Sequence, residues 1–159
     1  MGINKNDIFP EIVFFKITNS GPNGFKSSEL FNNEKILLVA VPGAFTPTCS
    51  ENHLPGYVEL KDNFTKKGIK KIFFVSNNDP FVMKSWGDQH GAKGIDFISD
   101  SNGELRDKSG LQIDLTDIGL GKRLSRFAMI IENGIVKKIF PEDGAGLEVS
   151  KAENVLNNI

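Results

Sequence analysis

The sequence predicts an α/β fold with a central mixed sheet flanked by helices, and three observations predict it. Two uninterrupted apolar runs, "ILLVAV" over 36–41 and the core of "IKKIFFV" over 69–75, suit strands buried on both faces. Each run is followed by turn residues and then by a segment of helical spacing, the alternation that builds α/β structure. The Asn133-Gly134 pair inside "SRFAMIIENGIVKKIF" marks a β-hairpin, which brings antiparallel pairing into the sheet.

Taken in order, "EIVFFKI" (11–17) reads as a strand and "SSELF" (27–31) as a short helix opened by serine. The strand over 36–41 stops at Pro42. Beyond it, Thr46 or Thr48 is placed to cap a helix running toward Lys67, with Leu54, Tyr57, Val58, Leu60 and Phe64 as a rough apolar stripe and Gly68 as its stop. Pro55 falls inside that helix and is expected to kink it, because it has no N–H for the carbonyl of Glu51. After the strand over 69–75, "SNNDPFVMKSWGDQHG" opens with turn residues, sets Pro80 at the first helical position and ends at Gly91. "IDFIS" (95–99) is a strand and "DSNG" a turn; residues 104–122 read as short helical or irregular pieces; "EVSKAENVLNNI" is a closing helix. No linker, repeat or low-complexity block divides the chain, so residues 1–159 are expected to form one domain.

Composition narrows the function. Hydrophobic residues make up 39% of the 159, enough for a core, and 19 basic against 20 acidic residues give a net charge of -1. That balance leaves no footprint for nucleic acid or an anionic membrane. No apolar run reaches the ~18 residues of a membrane span, and "MGINKNDIFP" has no signal-peptide core. Asn6 stands where a myristoylation start would want Ser or Thr. The expected location is the cytoplasm. No metal or cofactor is expected, since the only histidines, His53 and His90, lack ligand spacing.

The chain has one cysteine, Cys49, so no internal disulfide can form, which fits a reducing compartment. An isolated cysteine is by default a small apolar core residue. Cys49, however, follows a buried strand, a proline-rich loop and the start of a helix. Reactive groups of open α/β sheets gather at such places. Free N–H groups at the helix start favour an anion, so a thiolate nucleophile is expected there. His53, four residues on, could share a helix face with it, which raises a Cys–His hydrolase pair as one alternative, although nothing supplies a third orienting residue.

Pro42, Thr46 and Cys49 form P-x-x-x-T-x-x-C, and the longer stretch "VPGAFTPTCSENHLPGY" resembles the active-site segment of the peroxiredoxins, specifically their five-type subfamily. "SNNDPFVMKSWG" and "KRLSRFAMIIENGIVK" match at their expected places, so the resemblance covers nearly the whole chain. It implies a thioredoxin-like fold and a thiol peroxidase. By resemblance, Cys49 is the peroxidatic cysteine, Thr46 holds the peroxide and the thiolate, Pro42 screens the sulfur from water, and Arg126 sits over the pocket. Spacing alone leaves Arg123 as a competitor of Arg126. Phe45, Thr48, His53 and Phe127 are expected to line the substrate pocket. Aromatic residues at these loops, Phe45, Phe81, Trp86 and Phe127, are mainly core by composition; by resemblance they form a pocket collar and a flat homodimer interface.

Relatives with two cysteines carry a resolving cysteine in a stretch like "GAGLEVS" (144–150), where this chain has Val149. An outside thiol is therefore expected to recycle the oxidised sulfur, either glutathione with glutaredoxin or, alternatively, thioredoxin. A peroxide-sensing redox relay or chaperone module shares the same motif and stays open. Thiol ionisation explains only part of such an enzyme's speed. A thiol of pKa about 8.5 is roughly 3% ionised at pH 7, so complete ionisation raises the rate about 30-fold at most. The remainder must come from donors fixed where charge builds on the leaving oxygen, a task suited to Thr46 and to the guanidinium of Arg126.

Overall fold

The computed structural model describes residues 2–144 and 146–159; Met1 and Ala145, the latter within "GAGLEVS", lie outside the described residues. The strands are β1 (Val13–Thr18), β2 (Gly21–Lys26), β3 (Lys35–Ala40), β4 (Lys71–Ser76), β5 (Ile95–Ser99), β6 (Gln112–Leu115), β7 (Gly121–Leu124), β8 (Phe127–Glu132) and β9 (Ile135–Pro141). The helices are α1 (Ser27–Phe31), α2 (Leu54–Lys66), α3 (Pro80–Gln89), α4 (Glu104–Ser109) and α5 (Ala152–Asn157). Seven strands form one mixed sheet in the order β2-β1-β5-β4-β3-β8-β9. The central β3, β4 and β5 run parallel, and the remaining pairings are antiparallel.

The apolar runs do what their pattern requires. Side chains alternate across a strand. Ile36, Leu38 and Ala40 of β3 therefore enter one core with Phe73, Met129, Phe31 of α1 and Leu105 of α4. Leu37 and Val39 enter the other with Phe74, Tyr57 of α2, Trp86 of α3 and Val155 of α5. Both faces of the sheet are covered by helices, which is why β3 and β4 show no polar alternation. The β8–β9 hairpin turns at Asn133 (φ 53°) and Gly134 (φ 76°), the pair of left-handed residues that a type I′ turn needs.

Three features differ from the sequence reading. "GPNGFK" is a strand, β2, despite one proline and two glycines; it is tolerated because it lies at the sheet edge, paired only with β1. The segment read as irregular holds a small second sheet, β6 paired with β7 around a 3₁₀ turn at Thr116–Ile118. Pro55 is accommodated by a change of helical register: Cys49–His53 forms a π-helical turn, closed by the Leu54 N–H on the Cys49 carbonyl, before α2 continues. A proline cannot donate the next bond, so the helix widens just ahead of it, a device common at functional sites.

Close packing also constrains α3. A Cβ on Gly87 would lie 2.6 Å from the ring of Phe97, which is itself packed between Phe74 and Trp86. Gly87→Ala is therefore expected to lower stability by ~1–3 kcal/mol despite the better helix propensity of alanine. Thermal unfolding checks it: a fall of about 3–8 °C is expected.

Candidate active site

Sheet register assembles the site. In the antiparallel pair β3–β8, Ala40 is opposite Phe127, so the chain entering β8 lies beside the chain leaving β3. Arg126, directly before Phe127, is thereby delivered to the loop that carries Cys49. A one-residue slip would send its side chain to the other face. The Arg126 Nη2 donates to Cys49 Sγ at 3.1 Å, and its Nη1 donates to His53 Nδ1 at 2.8 Å. Arg126 is buried, at 3% exposure, and its Nε has no hydrogen-bond partner among the described residues. One guanidinium fork thus grips a sulfur and an imidazole, a bidentate geometry that lysine lacks.

His53 is fixed from both sides. Arginine can only donate, so Nδ1 must be the acceptor and Nε2 must carry the proton. Nε2 faces the carbonyl of Ser150 at 3.2 Å, an acceptor that fits this tautomer. Tyr57 donates its hydroxyl to the same carbonyl, and burial holds its phenol well above the ordinary value, so it remains a donor. Burial, then the nearby Arg126 charge, push the His53 pKa down to about 3 from 6.5.

That shift has a consequence for stability. The unfolded chain takes up a proton on His53 near pH 6.5, whereas the folded chain resists it until about pH 3, so stability is lost as pH falls through that window. Glu142 adds to the loss only lower down. Burial works to raise its carboxyl pKa, but hydrogen bonds from Ser150 and the 148–149 backbone outweigh it and hold it below 4.5. The melting temperature of the wild type is expected to decline already between about pH 6.5 and 5, and His53→Gln to flatten that part of the curve. A pH series of thermal melts checks it.

The loop between β3 and Cys49 is held by its own set of bonds. The Thr46 hydroxyl donates to the Gly43 carbonyl at 2.7 Å, which commits its one hydrogen and leaves its lone pairs as acceptors. Arg123 Nη1 donates to the Pro42 carbonyl at 3.0 Å, so this arginine braces the loop, and Arg126 is the one on the sulfur. Ala44 N–H donates to Asn78 Oδ1 at 2.8 Å, and Trp86 Nε1 donates to the Ser50 hydroxyl at 2.9 Å. Cys49 is a free, fully buried thiol and Pro42 is buried near the start of its loop.

Several expected roles need correction. Neither threonine caps the helix with its side chain: Thr48 makes no capping bond, and the Thr46 hydroxyl points its hydrogen at Gly43 while its carbonyl accepts from Ser50 N–H at 2.9 Å. His53 bonds Arg126 and Ser150, and not Cys49, so both ring nitrogens are already engaged and the Cys–His hydrolase pair is not formed. Phe127 lies in the core on the opposite sheet face from Cys49. Trp86 and Phe127 are fully buried, which removes them from any flat interface, whereas Phe45 and Phe81 are exposed at 45% and 62%. Phe45 also adopts a left-handed φ of 64°, a strained conformation for an aromatic residue. Thr48 is half-buried. Asn78, Glu142 and Ser150 carry no signal as site residues in the sequence, and Tyr57 reads there only as part of an apolar helical stripe. Their parts are set by sheet register and loop closure, which carry no local residue pattern.

Known proteins match this chain in sequence and in fold. The family model described as Redoxin matches residues 4–156. The hybrid peroxiredoxin hyPrx5 of Haemophilus influenzae is 44% identical over 133 residues, which are 82% of this chain; the chain spans only 55% of that longer protein. Reduced Prx3 of Vibrio vulnificus, crystallised in complex with hydrogen peroxide, superposes with a TM-score of 0.94 at 41% identity over 98% of both chains. The Plasmodium falciparum antioxidant protein, a 1-Cys peroxiredoxin, superposes with a TM-score of 0.91 at 35% identity, covering 99% of this chain and 100% of that one. These likenesses carry the thioredoxin-like fold together with the mixed sheet seen here. Among the described residues, no helix is long and apolar enough to cross a membrane.

Proposed function

This chain belongs to the redoxin family, as a one-cysteine peroxiredoxin of the five-type, and on that premise we propose that it reduces hydroperoxides at Cys49 and is recycled by an outside thiol. The Cys49 thiolate attacks one oxygen of the peroxide; an S–O bond forms and the O–O bond breaks. The sulfur loses two electrons and becomes a sulfenic acid, and the departing oxygen takes a proton and leaves as water or alcohol. A reducing thiol then attacks the sulfur and expels water, giving a mixed disulfide. A second thiol resolves it, releasing Cys49 and an oxidised disulfide. The chain has no other cysteine to take the second step, and Val149 stands where two-cysteine relatives have one.

One observation carries the reading: the Arg126 guanidinium donates to Cys49 Sγ at 3.1 Å in a buried setting. A fixed positive donor beside the nucleophile stabilises the negative charge that builds on the departing oxygen as the O–O bond breaks. Its uncommitted Nε is one further donor for an incoming oxygen. The Thr46 lone pairs can accept the hydrogen of a peroxide, while the Pro42 loop keeps bulk water off the sulfur. Hydrogen peroxide and organic hydroperoxides are the substrate class, the first supported by the Vibrio vulnificus relative crystallised with it. Glutathione with glutaredoxin is the proposed reductant and thioredoxin the alternative. A reducing compartment such as the cytoplasm suits a single free thiol. The exposed Phe45 and Phe81 fit a homodimer face.

Steady-state turnover with hydrogen peroxide, cumene hydroperoxide and each reductant tests the proposal. Turnover with glutathione plus glutaredoxin is expected to exceed that with thioredoxin. Failure of both reductants to sustain consumption beyond one equivalent of peroxide per chain would refute the cycle.

A further inference from the structure

The peroxidase reading leaves Glu142 and Ser150 without a task, yet they close a circuit around Arg126. In the pair β8–β9, Phe127 is opposite Pro141, so Glu142 lies beside Arg126 at the same sheet end, and its N–H donates to the Arg126 carbonyl at 3.0 Å. The Glu142 carboxylate collects three donors on Oε2: Glu148 N–H at 2.9 Å, Ser150 N–H at 2.7 Å and Ser150 Oγ at 2.6 Å. This folds the 148–150 segment back and presents the Ser150 carbonyl to His53 Nε2 at 3.2 Å and to the Tyr57 hydroxyl. His53 Nδ1 in turn takes Arg126 Nη1, whose partner nitrogen Nη2 rests on Cys49.

We propose that Glu142, acting through Ser150, is a positioning residue for peroxide reduction, because it fixes the His53 tautomer and thereby aims the Arg126 guanidinium at Cys49. The inference rests on the peroxidase reading above. Its physical basis is donor matching. Arg126 can only donate, so His53 must offer a bare Nδ1, and the proton on Nε2 then needs a buried acceptor. The Ser150 carbonyl is that acceptor, and Glu142 holds it by gripping the N–H and hydroxyl of the same residue. Without Glu142 the segment loses three charge-assisted bonds. The competing tautomer would then turn an N–H toward Arg126, donor against donor, and displace the guanidinium. No proton is transferred along the circuit.

Three readouts test it on Glu142→Ala and Glu142→Gln. The second-order rate of Cys49 oxidation by hydrogen peroxide is expected to fall about 10-fold in Glu142→Ala and less in Glu142→Gln, which keeps one acceptor oxygen. Alkylation of Cys49 by iodoacetamide, which builds no charge on a leaving peroxide oxygen, is expected to slow by less than ~3-fold. Nitrogen-15 spectra of His53 are expected to show a single Nε2–H tautomer in the wild type and a mixture in Glu142→Ala. A peroxide rate unchanged in a folded variant overturns the proposal. So does equal slowing of both reagents with the tautomer intact, which marks a merely structural role. If Glu142→Ala fails to fold, Glu142→Gln is read by the same criteria. If the wild type itself does not react with peroxide, the peroxidase reading fails, and the His53 spectra alone then decide whether Glu142 sets the tautomer.

Discussion

Replacing Cys49 with serine is expected to lower peroxide-dependent turnover by at least ~10³-fold, to the level of uncatalysed reaction. The serine hydroxyl stays protonated at neutral pH, and its oxygen has no counterpart of the sulfenic acid through which the thiol passes. The loss should be chemical and not structural. Cys49 is small and fully buried, and its sulfur accepts one bond from Arg126, which a serine oxygen also accepts. Thermal unfolding of Cys49→Ser within about 4 °C of the wild type would confirm that the fold is kept. Residual turnover near the wild-type rate would show that the peroxide reacts elsewhere.

The second large effect is expected at Arg126. Arg126→Met should lower the rate of Cys49 oxidation by roughly 10²–10³-fold, the cost of removing one preorganised donor from a developing oxyanion. Arg126→Lys should recover only part of it, since a point charge cannot bond His53 and Cys49 together with the geometry of a fork. Stability should move differently. Arg126 is buried, makes no ion pair with a carboxylate among the described residues, and leaves Nε unpartnered. Burying such a charge is costly, and an apolar side chain of similar size removes that cost. Arg126→Met is thus expected to melt at or above the wild-type temperature while its peroxide rate collapses. Stopped-flow oxidation rates and thermal melts of the same preparations check both halves. A variant that loses stability and activity together would place Arg126 in the scaffold instead of the reaction.

Much of this architecture was legible in the residues. The runs over 36–41 and 72–75 are apolar because each strand serves two cores, and Asn133-Gly134 sits where both turn residues adopt positive φ. β2 escaped notice because its pairing with β1, and not its own composition, makes it a strand. The cysteine motif announced Cys49, Thr46 and Pro42 as neighbours along the chain. Arg126 is 77 residues away and reaches the sulfur only through the β3–β8 register, so residue spacing alone could not separate it from Arg123. The resemblance made that choice, and the two hydrogen-bond sets give its physical reason: Arg123 binds the Pro42 carbonyl and Arg126 binds the sulfur. The π-helical turn is the clearest limit of local reading. Pro55 signalled a disturbed helix, but the disturbance widens the preceding turn that holds Cys49 and His53. Ser150 and Glu142 are ordinary polar residues in a loop, visible as partners only once the chain has closed on itself.

One sulfur is proposed to perform the whole oxidative half-reaction and then to wait for an outside thiol. Intact mass and free-thiol content, measured after one equivalent of hydrogen peroxide and again after glutathione, test it most directly. Loss of the one thiol per chain is expected, with a gain of a single oxygen at Cys49 and then replacement of that oxygen by a glutathione adduct. A thiol that survives the peroxide, or an oxidised chain that cannot be captured by any added thiol, would contradict it.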